Sequence, residues 1–274
     1  MPGATLTAPQ SQEVLAGRAG PRLTRRLVRD LSAVLIISGL LLLADAATTL
    51  LWQEPVTAVI ALIERASVND RYLSYNTAPL SPIQRQTLTA LPNQSRRIAY
   101  LARSERRELR AGDALGQITI PRIGANFVAV QGTDATDLEK GPGHYPMTAL
   151  PGMGRTVAIA GHRTTFLAPF RHIDALRPGD RIVVQMRYAR FVYAVQYQRI
   201  VTPTSWWVIR DVGYDRLVLS ACNPLFSAAQ RIIVFARLES VQASPATLGL
   251  SAVTTHTLGM GLRAGAAEPQ PSRH

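Results

Sequence analysis

The hydrophobic positions of this chain change their pattern twice along its length. An apolar run from Leu31 to Trp52 contains one charged residue, Asp45, and it has about the 20 residues that a membrane-spanning helix needs. From residue 56 to residue 110 apolar and charged residues are mixed, and after Gly116 short apolar runs follow one another closely. The pattern predicts a membrane helix, an intermediate segment and a β-rich domain.

Seven segments of the β-rich part have the apolar and β-branched composition of strands, with turn sequences such as IGAN, RPGD and CNPL between them. Two short helices are predicted, one in TDATDLEKGPG, where Thr136 and Glu139 have capping-box spacing, and one in FRHIDALRPGD. Many short strands with two small helices are typical of a closed or sandwiched antiparallel sheet, and we expect a β-barrel. The predicted strands are QITIPRI, ANFVAVQ, TVAIAGH, DRIVVQM, ARFVYAVQYQRIV, DRLVLSAC and QRIIVFARLESV.

Arginines flank the apolar run on its N-terminal side, in RLTRRLVRD. Because basic flanks stay in the cytoplasm, the chain after Trp52 is expected outside the membrane. Two alternatives are a signal peptide cleaved after the small residues ADA (44–46) and a twin-arginine signal in TRR. Since the apolar character continues to Trp52, we favour an uncleaved signal anchor.

Composition divides the chain into five parts. Residues 1–30 are expected to be a disordered cytoplasmic tail, 31–52 the transmembrane anchor and 53–112 an extracytoplasmic stalk or linker, solvated and without chemistry of its own. Residues 113–241 form the expected β-barrel domain, and the interrupted, polar residues 242–274 are expected to be a disordered C-terminal tail.

The chain carries a net charge of +12, and 29 of its 30 basic residues are arginine because Lys140 is its only lysine. No stacked aromatic residues accompany the arginines, so we do not expect nucleic-acid binding. Acidic phospholipid or an anionic cell wall is the expected neighbour. The cysteine spacing of a metal site is absent, and helix capping explains Asp134, Asp137 and Glu139 better than calcium does, so no metal is expected.

Cys222 is the only cysteine and closes the predicted strand DRLVLSAC. Arg231 opens the next predicted strand, so an antiparallel hairpin would bring both residues to the same end. His162 ends a third strand, although His144 and His172, among others, compete for its role. A reactive thiol needs a base or a cation nearby, and these residues would supply both. The residues alone leave two readings open, a nucleophile and a buried inert thiol.

The motifs AIAGHRTTF, LVLSACNP and SAAQRIIVFARL together resemble the sortases, the membrane-anchored transpeptidases of Gram-positive bacteria. LWQEP and GPGHYP make the chain most similar to class E of actinobacteria, and the resemblance covers about residues 51–238. It implies a mainly β fold, a closed sortase-type β-barrel with short helices, preceded by an N-terminal transmembrane helix.

The resemblance also implies roles for individual residues. Cys222 would be the nucleophile, His162 the general acid and base, and Arg231 the residue on the oxyanion side. Many sortases have threonines before the cysteine, where this chain has Ser220 and Ala221, and this departure affects the pocket wall. The implied substrate-binding residues are His144, Tyr145, Ser220, Ala221 and Asn223.

The implied reaction cleaves a C-terminal LPxTG-like signal of a secreted protein between Thr and Gly, and class E similarity favours LAxTG. A thioester on Cys222 would pass the protein to an amine of peptidoglycan or its precursor, without a cofactor. The implied partners are these secreted proteins, the wall amine and membrane lipid, and the enzyme would sit in the cell membrane with its catalytic domain outside. Two alternatives are a pilin-polymerising sortase, disfavoured because no aspartate–aromatic lid motif precedes Gly116, and an inactive wall-binding module, disfavoured by the intact Cys, His and Arg.

Overall fold

The computed structural model of the protein describes residues 21–51 and 55–249, which belong to two separate units that divide after Leu51. The described part of the first unit is one helix, α1 (Pro21–Leu51). Its segment Arg25–Thr48 is apolar and long enough to cross a membrane, and none of it is buried inside the protein. A helix of this kind serves as an anchor or as a signal sequence. The tail predicted over 1–30 is described only from residue 21, and residues 21–30 are helical as part of α1. Trp52, residues 1–20 and residues 250–274 of the tail predicted over 242–274 lie outside the described residues.

Three helices open the second unit: α2 (Pro55–Thr77), α3 (Pro82–Ala90) and α4 (Gln94–Glu108). A capping box between Ser81 and Gln84 starts α3, with proline at its first position. The side chain of Asn93 accepts a hydrogen bond from the backbone N–H of Arg96 and starts α4.

These helices correct the expectation of a solvated stalk over 53–112. Helix α4 buries Ile98, Leu101 and Ala102 in the main hydrophobic core of the unit, and Leu80 and Leu88 join the same core. In α2, Val68 and Tyr72 pack against the first strands of the sheet. The segment is therefore part of the folded domain.

Eight strands form a closed barrel in the order β1-β2-β3-β4-β7-β8-β6-β5, and pairing of β1 with β5 closes it. The predicted barrel is confirmed, and each of the seven predicted strands is present. The sheet is not wholly antiparallel, because β2 pairs with β3 and β4 pairs with β7 in parallel. The strands are β1 (Ala114–Ile120), β2 (Ala125–Gln131), β3 (Gly143–His144), β4 (Thr156–Ala160), β5 (Arg181–Gln185), β6 (Ala189–Val201), β7 (Arg216–Asn223) and β8 (Gln230–Ala243).

The short helical elements differ from the expectation in detail. Helix α5 (Ala135–Leu138) begins after Asp134, not after Thr136, and no side chain caps it, so the predicted capping box does not form. The predicted helix in FRHIDALRPGD is a 3₁₀ turn at Ile173–Ala175, and further 3₁₀ turns lie at Pro121–Ile123 and Trp206–Ile209.

The start of the predicted C-terminal tail also differs, because β8 continues to Ala243 and helix α6 (Pro245–Leu248) follows it. The backbone N–H of Ser244 donates to the carbonyl of Tyr188, and Thr247 is fully buried. Residues 242–249 are thus part of the folded unit.

Alternate residues of β7 face two different cores, as the two-residue period of a strand requires. Leu217, Leu219 and Ala221 point into the barrel and belong to its main core. Val218 lies on the outer face, where it packs with Phe235 and with Ile209 from the connection between β6 and β7. Cys222 has the same parity as Val218, so its side chain belongs to the outer face of the barrel.

Candidate active site

The register of three neighbouring strands brings the predicted catalytic residues to one end of this outer face. Cys222 pairs directly with Arg231 across the β7–β8 ladder. On the other side of β7, Ala160 of β4 pairs with Ser220 in parallel. His162 and Cys222 each follow this pair by two residues, so both lie beyond the same end of the β4–β7 ladder. Cys222 and Arg231 therefore lie on paired strands, and His162 lies in the loop that leaves β4 at the same end of the sheet.

A cleft of about 290 Å³ runs over the outer face at this end, and His162, Cys222 and Arg231 all line it. Its surface mixes apolar side chains with hydroxyls, as ligand-binding clefts commonly do. The other lining residues come from the region of α5, from the strand ends and from the β6–β7 connection: Thr133, Leu138, Tyr145, Ala160, Gly161, Val201, Thr202, Pro203, Ser205, Trp206, Val208, Ile209, Ser220, Ala221 and Ile233.

The chain leaves β4 through Gly161, directly before His162. A Cβ atom on Gly161 would lie 2.5 Å from the ring of Phe170, so this close approach admits only glycine. The backbone N–H of Phe170 also donates to the carbonyl of His162, with an N···O distance of 2.9 Å. These contacts fix the backbone that carries the histidine.

The His162 ring is half-buried and lies against Phe166, with 5.2 Å between the ring centroids. Phe166 itself begins a left-handed turn, with φ values of 50°, 62° and 41° at Phe166, Leu167 and Ala168. Burial lowers the pKa of His162, and the nearby carboxylate of Glu139 opposes this shift. Its buried Nε2 has no hydrogen-bond partner within the described chain. A neutral imidazole with a free nitrogen is suited to exchanging a proton.

The guanidinium of Arg231 is held at the edge of the cleft by backbone carbonyls. Its Nη1 donates to the carbonyl of Ala228 at 2.9 Å and to that of Gln230 at 3.0 Å. Cys222 is partly exposed and is a free thiol. The site therefore places a fixed cation on the strand position directly opposite an accessible thiol.

The predicted substrate-binding residues divide into two groups. Tyr145, Ser220 and Ala221 line the cleft. Asn223 lies just beyond Cys222, where its side-chain amide donates to Gln230 and its carbonyl oxygen accepts a hydrogen bond from Arg163.

His144 is the exception, because the structure buries it completely instead of exposing it to a substrate. Its Nε2 donates to the carbonyl of Ala149 at 2.9 Å, and its Nδ1 lies 2.8 Å from the side-chain oxygen of Gln131. Burial lowers its pKa to about 4, so the ring is neutral at pH 7. His144 is thus a structural residue of β3. Of the other competing histidines, His172 is exposed directly before the 3₁₀ turn, and 256 and 274 lie outside the described residues.

Two parts of the site were missed by reasoning from the sequence. The connection between β6 and β7 forms a wall of the cleft, and Trp206 in it is 61% exposed. The adjacent tryptophans in TSWWVI are a signal for such a surface, since exposed aromatic residues favour binding. Arg163 follows His162 and is buried, and its position gives no sign of this in the sequence. The described residues contain no group of three or more His, Cys, Asp or Glu side chains that could hold a metal.

Comparison with known proteins finds relatives of this region of the chain. The family model described as "Sortase domain" matches residues 118–239. Sortase D of Bacillus subtilis is 33% identical over 130 residues, which cover 46% of this chain and 64% of that protein. Sortase SrtE1 of Streptomyces coelicolor is 30% identical over 154 residues, which cover 50% of this chain and 43% of that protein.

Solved structures that match part of this chain include a Clostridium perfringens sortase D5 transpeptidase, with a TM-score of 0.46 and 28% identity over 50% of this chain and 89% of that one. Sortase E of Streptomyces avermitilis gives a TM-score of 0.45 and 32% identity over 49% of this chain and 93% of that one. The chain spans less than two thirds of the length of the curated relatives described above. Because sortases named D, E and A all match, the comparisons do not single out the expected class E.

Proposed function

We propose that the chain is a cysteine transpeptidase of the sortase family with Cys222 as its nucleophile, on the basis of the sortase-domain model that matches residues 118–239. The observation that carries the proposal is that Cys222, Arg231 and His162 line the same cleft at one end of the barrel. Cysteine chemistry of this kind needs a thiol, a proton carrier and a cation at the developing negative charge.

In the proposed first step, the Cys222 sulfur attacks the carbonyl carbon of the Thr–Gly bond in an LPxTG-like signal, and the thiol proton passes to His162. Negative charge develops on the carbonyl oxygen, next to the Arg231 guanidinium. The C–N bond then breaks, His162 gives its proton to the leaving glycine amine, and a thioester remains on Cys222. The half-buried, neutral imidazole of His162 supports this role.

In the proposed second step, an amine attacks the thioester carbonyl and gives its proton to His162. The C–S bond breaks, and the proton returns to the sulfur, so the enzyme is regenerated without a cofactor. We propose LAxTG as the favoured signal and an amine of peptidoglycan or its precursor as the acceptor. Both proposals rest on the resemblance to class E.

The alternatives receive less support. In an inactive wall-binding module the thiol would have no reason to be accessible, whereas Cys222 is partly exposed in the cleft. A pilin polymerase would use a lysine of the next subunit as acceptor. It is disfavoured because no aspartate–aromatic lid motif precedes Gly116 in the sequence, and its acceptor preference would test it.

We also propose that α1 anchors the enzyme with its catalytic domain outside the cytoplasm, since arginines precede the apolar run and few charges interrupt it. Protease added to intact protoplasts should then remove the domain and spare the N-terminal arginines. A released protein whose N-terminus is Ala47 would contradict this proposal and show a cleaved signal peptide.

The test of the chemistry is turnover of an LAxTG peptide, with release of the glycine-containing product measured for the protein and for Cys222→Ala. The variant should lose both hydrolysis and transfer to an added amine and keep its fold. Substantial turnover by Cys222→Ala would overturn the assignment of the nucleophile.

A further inference from the structure

Arg163 is a buried arginine directly after His162, with 4% of its side chain exposed. A buried guanidinium is costly unless each of its donors finds a partner, so its surroundings must be specific. The structure gives it four partners, and they belong to two different segments of the chain.

Two partners lie in the loop that follows β4. The Nη2 atom of Arg163 forms an ion pair with Asp174, with an N···O distance of 2.9 Å. Its Nε donates to the carbonyl of Arg171 at 3.3 Å. These contacts hold the arginine within the loop that also carries His162.

The other two partners lie at the end of β7, and both accept from Nη1. One is the backbone carbonyl of Cys222 at 3.3 Å, and the other is the side-chain oxygen of Asn223 at 3.2 Å. A single planar guanidinium, with its fixed fork of donors, therefore connects the histidine loop to the cysteine strand.

The contact between Arg163 and the carbonyl of Cys222 lies just beyond the end of the β4–β7 ladder. The last register pair between β4 and β7 is Ala160 with Ser220, and the last ladder bond runs from the N–H of Gly161 to the carbonyl of Ser220 at 3.0 Å. Carbonyls two residues apart on a strand point to the same side, so the carbonyl of Cys222 also points towards β4. There it receives the side chain of Arg163 in place of a backbone N–H.

We propose that Arg163 is a positioning residue that fixes the distance between Cys222 and His162 where the β4–β7 ladder has ended. This inference rests on the proposed function for its kinetic consequence. Reacting groups must be held closely, and a misplacement of about 1 Å can cost about 100-fold in rate. Arg163 acts through the backbone of Cys222 and does not itself need to touch the substrate.

The kinetic test compares Arg163→Gln and Arg163→Lys with Arg187→Gln in the full chain. Arg187 also donates to a backbone carbonyl, that of Ala78 at 2.7 Å, but it lies in the β5–β6 turn at the opposite end of the barrel. Arg163→Gln should lower kcat for peptide cleavage about 10- to 100-fold while KM changes less than about threefold. Arg163→Lys should recover part of kcat, because it restores the charge without the fork. Arg187→Gln should lower the melting temperature but leave kcat unchanged.

A second measurement does not depend on turnover. With ¹³C-labelled histidine, the His162 ring resonance, assigned by its loss in His162→Gln, should shift when iodoacetamide alkylates Cys222. The same alkylation in Arg163→Gln should leave that resonance broadened or unshifted, since the two residues are no longer held together.

The outcomes separate the two claims. If the parent protein cleaves the peptide and Arg163→Gln keeps both kcat and the alkylation-dependent shift, the positioning role is wrong and the proposed function stands. If kcat falls equally in Arg163→Gln and Arg187→Gln, the arginine is only structural and the proposal is again overturned. If the parent shows no Cys222-dependent cleavage, the proposed function fails, and the resonance shift alone then decides whether Arg163 couples the two residues.

Discussion

Removal of helices α2–α4 should unfold the barrel, although every residue of the proposed catalytic group lies after Gly116. The reason is that Leu80, Leu88, Ile98 and Leu101 are each at least 91% buried, and they pack in the same core as the barrel interior. Burial of a side chain of this size contributes about 1.5–3 kcal/mol, so the four together contribute about 6–12 kcal/mol. Since whole domains are stable by only about 5–15 kcal/mol, a chain that begins at Gly112 should not fold.

The assay is urea unfolding followed by the fluorescence of Trp206 and Trp207, comparing a chain that begins at Gly112 with one that begins at Pro55. The longer chain should unfold cooperatively and cleave the LAxTG peptide, and the shorter one should do neither. As a finer test, Leu101→Ala in the longer chain should lose about 2–5 kcal/mol. Leu73→Ala, at a position 58% exposed in α2, is the matched control and should lose far less. A shorter chain with the same unfolding midpoint would refute the packing argument.

Four further predictions concern single residues. Burial raises the pKa of Glu105 from 4.5 to about 7, although Tyr75 and Arg187 act to lower it. The free energy of unfolding should therefore fall by about 3 kcal/mol as the pH rises from about 4.5 to about 7. Urea titrations of Glu105→Gln should no longer show that fall. Burial lowers the pKa of His144 from 6.5 to about 4, so its effect on stability depends on pH in the opposite direction. Its contribution to the free energy of unfolding is lost as the pH falls from about 6.5 to about 4. His144→Gln should lower the melting temperature at pH 7 without reducing kcat of the folded fraction. His162→Ala should lower kcat about 10²- to 10⁴-fold with an unchanged melting temperature, and a smaller loss than in His144→Gln would mean that the wrong histidine was chosen. Arg231→Lys should recover little of the activity lost in Arg231→Ala, because an ammonium lacks the planar fork, and full recovery in peptide cleavage would contradict an oxyanion role.

The sequence was most informative where local pattern determines structure. Each predicted strand has enough alternating or β-branched residues to be recognised alone, and the loop between Cys222 and Arg231 is short enough to imply a hairpin. That hairpin was sufficient to place the two residues at the same end, and the structure shows that they pair directly. His162 was harder to place, because its neighbour β7 is about 60 residues away in the chain and pairs in parallel.

The parts that could not be predicted depend on distant partners. The strand β3 has two residues, too few for any periodic signal. In α4, Ile98 and Leu101 stand among arginines and resemble a solvated helix until the barrel surface that covers them is known. The burial of His144 likewise depends on Gln131 and Ala149, which no local motif connects to it.

The contacts of Arg163 in the candidate site also could not be predicted from the local sequence. Its carbonyl partner, Cys222, is 59 residues further along the chain. The motif AGHR identifies the histidine, but only the folded sheet shows where the ladder ends and which side chain replaces its next bond.

The measurement that tests the central claim most directly is the mass of the protein after brief incubation with an LAxTG peptide, without an acceptor amine. The account predicts an increase equal to the peptide acyl fragment that ends at threonine, located on the tryptic peptide containing Cys222 and removed by an added amine. The adduct should be absent from Cys222→Ala and should form far more slowly in His162→Ala. An intact mass with no adduct on Cys222, or an adduct on another residue, in a protein that still cleaves the peptide would contradict the account.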